Sequence, residues 1–180
     1  MRFHDKVAVV TGGASGIGKE VATRFVAEGG SVVINGRDVA KAESAAREID
    51  PTGQRVAVQT GDIALPATGE ALVKTALDRF GRLDVLFNNA GIFAPKPFLE
   101  VTEAEYDRFI DIILKGKFFA AQAAAKAMKA SGRGGVFCGE WRCTCARQES
   151  RDRAGSRQDS RERDRTGGDR DAGLQHVPIP

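Results

Sequence analysis

The sequence predicts an α/β fold built on a doubly wound parallel sheet, and three observations carry that expectation. Short apolar runs alternate with segments of helical periodicity, the runs place Val and Ile on consecutive positions, and the first run opens directly into a glycine-rich turn. Consecutive apolar residues suit strands buried on both faces, the condition of a parallel sheet covered by helices on either side. A length of 180 residues with 42% hydrophobic content suits one globular domain with a sizeable core.

The elements follow in order. Lys6 to Val10 is the first strand, and the turn from Thr11 to Gly18 hands it to a helix with apolar positions at Ile17, Val21, Phe25 and Val26. Gly29-Gly30 ends that helix, and Ser31 to Asn35 is the second strand. Asp38 is an N-cap for an Ala-rich helix through Ile49, and Pro51-Thr52-Gly53 breaks the pattern before the strand Val56-Ala57-Val58. A helix from about Pro66 to Phe80 stops at Gly81, and the strand Leu83 to Phe87 ends at Asn88-Asn89-Ala90-Gly91. Thr102 and Glu105 have capping-box spacing at the head of a long helix expected over 104–130. Gly132 and Gly134-Gly135 terminate it, and Val136-Phe137 starts a fifth strand. Right-handed crossovers order such strands 3-2-1-4-5 and put the glycine turn at the point where strand order reverses, the usual dinucleotide location.

Bulk properties exclude several classes. A net charge of +3 is too mild to indicate a nucleic-acid partner. No N-terminal apolar segment and no long uninterrupted apolar run occurs, so neither a signal peptide nor a membrane span is expected, and the cytoplasm is the expected location. The three cysteines, Cys138, Cys143 and Cys145, cluster late in the chain, which fits a reducing compartment. Together with His176 their spacing does not make two close ligand pairs, so no metal is expected.

The turn itself reads as a phosphate cradle. Glycines 12, 16 and 18 permit positive φ and close approach to an anion, and the N–H groups of a helix start point at it. The pattern Thr11-Gly12-x-x-x-Gly16-x-Gly18, with Asn88-Asn89-Ala90-Gly91 downstream, resembles the short-chain dehydrogenase/reductase family of classical type, over roughly residues 3 to 137. The resemblance implies a Rossmann-like sheet, here incomplete at about five strands, and a nicotinamide dinucleotide as partner. It assigns cofactor contact to Thr11, Gly12, Ser15, Gly16, Ile17 and Gly18, and to Asp62 and Ile63 after the third strand, where Asp62 matches the carboxylate that meets the adenine amino group. Asn88, Asn89, Ala90 and Gly91 match the segment that braces the sheet and lines the adenosine side. NAD-preferring members carry an acid at the end of the second strand. Gly36 stands there, followed by Arg37, whose guanidinium can pair with a 2′-phosphate, so NADP(H) is expected in preference to NAD(H).

The parent reaction implied is hydride transfer between the nicotinamide and a carbonyl or alcohol, run by a Tyr general acid/base with a Lys four residues later and a Ser. No catalytic residue is assigned in this chain. Its one tyrosine, Tyr106, precedes the fifth strand and has Ile110 four residues on. Family members also carry an Asn in the long helix within Asn-x-Lys-Gly, and Ile113-Leu114-Lys115-Gly116 stands in its place. An inactive chain is expected. The alternatives are a non-catalytic NADP(H)-binding module and an interaction protein working through its charged tail. Family members often associate through the long helix, so a homo-oligomer through 104–130 stays open.

The text changes after Phe137. Every Lys lies earlier, whereas nine of 18 Arg lie in residues 138–180, against eight Asp plus Glu. This Arg/Asp-rich tail has almost no apolar side chains between Ser150 and Asp171 and is expected to be disordered. Its near-cancelling charges argue against RNA binding. Back-translated one base out of frame, Thr166 to Pro178 can read P-G-A-I-E-T-P-V-Y-N-T-F and Arg147 to Ala154 can read V-K-N-L-A-T-E-L, both similar to the family's C-terminal half. A frameshifted, truncated reading frame explains both, and sequencing the coding DNA tests it. With later strands missing, the fifth strand is an exposed edge, and marginal stability with aggregation is expected.

Overall fold

The computed structural model describes residues 1–139, and the Arg/Asp-rich tail expected to be disordered, with Cys143, Cys145 and His176, lies outside the described residues. Five parallel strands form one sheet: β1 (Val7–Val10), β2 (Ser31–Ile34), β3 (Val56–Val58), β4 (Val85–Asn88) and β5 (Val136–Gly139). The order is β3-β2-β1-β4-β5, as expected of a doubly wound sheet with right-handed crossovers. Helices α1 (Gly16–Ala27), α2 (Val39–Ile49), α3 (Pro66–Phe80), α4 (Glu103–Ile110) and α5 (Lys117–Ala130) connect them, with a 3₁₀ turn at Phe98–Glu100. No helix among the described residues is long and apolar enough to cross a membrane.

Strand alternation sorts the core into two layers. Val7, Val9, Val33 and Leu86 pack on one face with Leu72, Val73 and Ala76 of α3 and Ala120, Ala124 and Met128 of α5. Ala8, Val10, Val32 and Ile34 pack on the other with Ala22 and Phe25 of α1 and Ala45 of α2. Each fully buried Val, Leu, Ile or Phe contributes about 1.5–3 kcal/mol of transfer free energy. Gly69 lets α3 and α5 close up, since a Cβ there would lie 2.8 Å from the Ala120 Cα.

Boundaries follow local chemistry. The Asp38 side chain accepts the Lys41 N–H at 2.9 Å and caps α2, and Gly81, at φ 72°, ends α3. The capping box is formed: Thr102 and Glu105 bond reciprocally at the head of α4. The fourth ladder starts at Val85 rather than Leu83, because the Val7 N–H donates to the Asp84 carboxylate at 2.9 Å instead of to a strand carbonyl. β5 extends two residues past Phe137, pairing Cys138 with Phe87 and Gly139 with Asn88.

Two expectations need correction. The long helix is not uniformly α-helical: a π-helical segment, Asp111–Gly116, separates α4 from α5. There Gly116 lies against the Ile63 carbonyl, where any Cβ would collide, so the helix passes the end of the sheet backbone-first. Ile17 is not an inward position either. It is 73% exposed, and the buried stripe of α1 is Gly18, Ala22 and Phe25. Small residues at 18 and 22 bring α1 close to the strand ends, which turns Ile17 outward.

Candidate functional site

Three strand ends converge on the site. β1 runs into the glycine turn, β2 into Asn35-Gly36-Arg37, and β4 into Asn88-Asn89-Ala90-Gly91. Gly12 takes φ 66° and Gly16 φ 54°, conformations that disfavour a side chain. Around Gly16 there is nothing within 4 Å of a notional Cβ, so that backbone faces open space. The Lys19 N–H makes its bond to the Ser15 carbonyl, which leaves the N–H groups before it at the start of α1 without an intrahelical partner.

Side chains lock this arrangement. Thr11 is wholly buried; its hydroxyl donates to the Phe87 carbonyl at 3.4 Å and accepts from the Ala90 N–H at 3.0 Å. The Asn89 amide donates to the Thr11 carbonyl at 3.1 Å, tying the end of β4 to the turn. Asn88 is buried and its amide donates to the Lys117 carbonyl at 3.1 Å, anchoring α5 beneath β4. Asn35, also buried, donates to the Gln59 and Gly61 carbonyls, both at 3.1 Å, and so fixes the end of β3 against the end of β2.

A cleft of about 830 Å³ opens above these ends. Of the residues singled out from sequence, Gly12, Ser15, Arg37, Asp62, Ile63, Asn89, Ala90 and Gly91 line it. Thr11, Gly18 and Asn88 sit beneath as supports, with Gly18 packed against the Gly12 carbonyl and the Asn89 amide, while Gly16, which faces open space, and the exposed Ile17 are not among the lining residues. Sequence reasoning missed Asn35, Lys41, Ile92 and Ile112 as lining residues. Lys41 lies in the first turn of α2, four residues after Arg37, and that proximity is a signal that could have found it. Ile112 comes from the π segment, and nothing local to its sequence announces its place.

Two carboxylates, Asp38 and Asp62, and two cations, Arg37 and Lys41, line the cleft, and the Asp38 carboxylate is engaged by the Lys41 N–H as the cap of α2. Arg37 and Lys41 are exposed at one end of the cleft. Asp62 lies between them and α4; its carboxylate accepts from the Ala64 N–H at 3.0 Å and from Arg108 at 2.8 Å. Partial burial pushes the Asp62 carboxyl up, but these two bonds and the charges of Arg108 and Arg37 more than offset it and hold the group below its ordinary range. Tyr106 is 59% exposed on α4 and is not among the cleft's lining residues, and Ile113 occupies the π segment with no polar group to offer. Among the described residues no group of His, Cys, Asp and Glu could hold a metal ion, and Cys138 is a half-buried free thiol.

A glycine turn and a cleft at the reversal of a doubly wound sheet define a protein of the dinucleotide-binding α/β class. Residues 6–137 match the family model for short chain dehydrogenase, and the chain belongs to that family, whose members bind a nicotinamide dinucleotide. Galactitol 2-dehydrogenase of Agrobacterium fabrum is 42% identical over 135 residues, covering 75% of this chain and 52% of that protein. Sorbitol dehydrogenase of Cereibacter sphaeroides is 40% identical, with 75% and 52% covered. A solved short chain dehydrogenase from Bacillus anthracis superposes with a TM-score of 0.71 at 34% identity, covering 74% of this chain and 55% of that one. The chain therefore spans about half the length of the relatives it matches.

Proposed function

We propose that this chain binds NADP(H) in the cleft above β1, β2 and β4, and is the cofactor-holding half of a short-chain dehydrogenase that does not turn over by itself. The observation that carries the reading is the pairing of the open glycine turn with two cations, Arg37 and Lys41, on one cleft, with Gly36 where an acid would repel a 2′-phosphate. The residues fit the cofactor: the turn at Gly12 to Gly18 suits a pyrophosphate, Arg37 and Lys41 a 2′-phosphate, and Asp62 with Ile63 an adenine ring. When bound, the nicotinamide would supply hydride transfer to or from a carbonyl or alcohol, the chemistry of the parent family. This chain's residues bind and orient; none in the described site moves a proton. Ile113 in place of an amide and Tyr106 without a Lys partner support an inactive chain.

A titration with NADPH and NADH, followed by nicotinamide fluorescence and paired with a carbonyl-reductase assay, tests the proposal. Saturable binding that favours NADPH, without turnover, is the expected result. Turnover above background refutes the inactivity, and equal affinities refute the assignment of Arg37.

A further inference from the structure

Among the described residues Arg108 is the one long-range hydrogen-bond partner of the Asp62 carboxylate, and it does not line the cleft that Asp62 lines. It reaches across from α4, 46 residues away, to donate from Nη2 to Oδ2 at 2.8 Å, while the Ala64 N–H donates to Oδ1 at 3.0 Å. The backbone is pinned as well: the Asp62 carbonyl accepts from the Thr68 hydroxyl at 2.7 Å and from the Leu65 N–H at 3.0 Å. Each carboxylate oxygen thus has one bond on the protein side and lone pairs left for the cleft. With one oxygen held from its own turn and the other from α4, the plane of the carboxylate is set and cannot rotate about its last torsion.

From this geometry we infer that Arg108 is a positioning residue for base recognition: it orients Asp62 so that the site accepts a purine amino group and rejects a purine carbonyl. The inference rests on the proposed placement of the adenosine half in this cleft. An adenine presents an exocyclic N–H donor to the carboxylate. A hypoxanthine presents a carbonyl oxygen, and two acceptors facing one another repel. Arg108 itself touches no ligand. Losing it frees the carboxylate to turn away, so the penalty on the wrong base falls while the phosphate contacts of the glycine turn are untouched.

The test compares NADPH with its hypoxanthine analogue, by nicotinamide fluorescence, on the full chain and on Arg108→Met and Arg108→Lys. The unmodified chain is expected to prefer NADPH by about tenfold or more, the value of a hydrogen bond to a charged group. Arg108→Met is expected to bring the ratio to within about threefold, and Arg108→Lys, which restores the charge and one donor, to recover part of it. A merely structural role for Arg108 would weaken both ligands equally and leave the ratio unchanged, and that result overturns the inference. So does an unmodified chain that binds both ligands alike, with NADPH binding itself intact. Failure of the unmodified chain to bind either ligand overturns the proposed function and this inference with it. Thermal melting of each variant without ligand separates loss of fold from loss of discrimination.

Discussion

Gly18→Ala and Gly16→Ala sit two residues apart in the same turn, and the structure predicts opposite kinds of damage from them. Gly18 has an ordinary helical backbone, so alanine is conformationally acceptable there. Its added methyl, however, would lie 2.6 Å from the Asn89 amide nitrogen, 2.9 Å from the Gly12 carbonyl carbon and closer still to the Gly12 oxygen. Backbone cannot rotate out of the way as a side chain can, and Asn89 is held by its bond to the Thr11 carbonyl. Overpacking of this kind costs about 1–3 kcal/mol, and rigid neighbours place it at about 3. Gly16 is the reverse: nothing lies within 4 Å, but φ is 54°, and an L-residue in that region costs about 1–2 kcal/mol. With a urea slope of about 2 kcal/mol per molar, the midpoint falls by about 1.5 M for Gly18→Ala and by about 0.5–1 M for Gly16→Ala. Urea unfolding followed by circular dichroism reads both. A second readout sharpens the contrast: the methyl of Gly16→Ala enters the open space where the pyrophosphate is proposed to lie, so it is expected to weaken NADPH binding out of proportion to its stability cost. If Gly18→Ala proves no more destabilising than Gly16→Ala, the close-packing account of the turn is wrong.

Other outcomes follow from the same contacts. Arg37→Asp is expected to weaken NADPH by about 10- to 100-fold, the worth of a charge-assisted pair, while NADH affinity holds or rises; parallel loss of both ligands would refute the phosphate assignment. Asp84 accepts from the Val7 N–H and pairs with Arg82 and Lys6, so Asp84→Ala leaves a part-buried donor unmet and is expected to cost about 1–3 kcal/mol by chemical denaturation. The Lys96 ammonium, with the Thr102 N–H and hydroxyl, brings the Glu105 carboxyl from an ordinary 4.5 down to about 2. Because the folded value is the lower one, this contribution is fully present above about pH 4.5 and is lost as pH falls from there through 2. An NMR titration of Glu105 should find its midpoint near 2, and Lys96→Met should move it up; an unshifted midpoint contradicts the bond network. Phe93, Phe98 and Leu99 are each about 90% exposed beside the head of α4. The isolated chain is therefore expected to bind a hydrophobic dye and to form large species by light scattering, and a monodisperse chain with a sharp melt would count against that.

Element order was legible because it depends on local periodicity and punctuation. Val32-Val33-Ile34 and Val56-Ala57-Val58 read as buried strands, Asp38 and Thr102 as caps and Gly81 as a stop, and each acts on its immediate neighbours. Strand order followed from right-handed crossovers together with the doubly wound pattern that puts the glycine turn at the switch point. What was not legible depends on which face an element turns to a distant neighbour. Ile17 has helical spacing yet points to solvent, since the inward face was decided by the clearance that Gly18 and Ala22 leave. The π segment depends on Gly116 meeting a carbonyl 53 residues earlier in the chain, at Ile63, a contact no window around residue 116 contains.

The sequence by itself determined the alternating strands and helices, the glycine turn with its family, and the cation that follows β2, because each is written in adjacent residues. Only the tertiary structure decided what builds and supports the cleft: Asn35 joining two strand ends, Ile112 entering from the π segment, and Arg108 reaching Asp62 from α4 behind the lining. Those partners come from β2, β3, α4 and the π segment, which are distant in sequence and meet only through strand pairing and packing, properties of the whole chain.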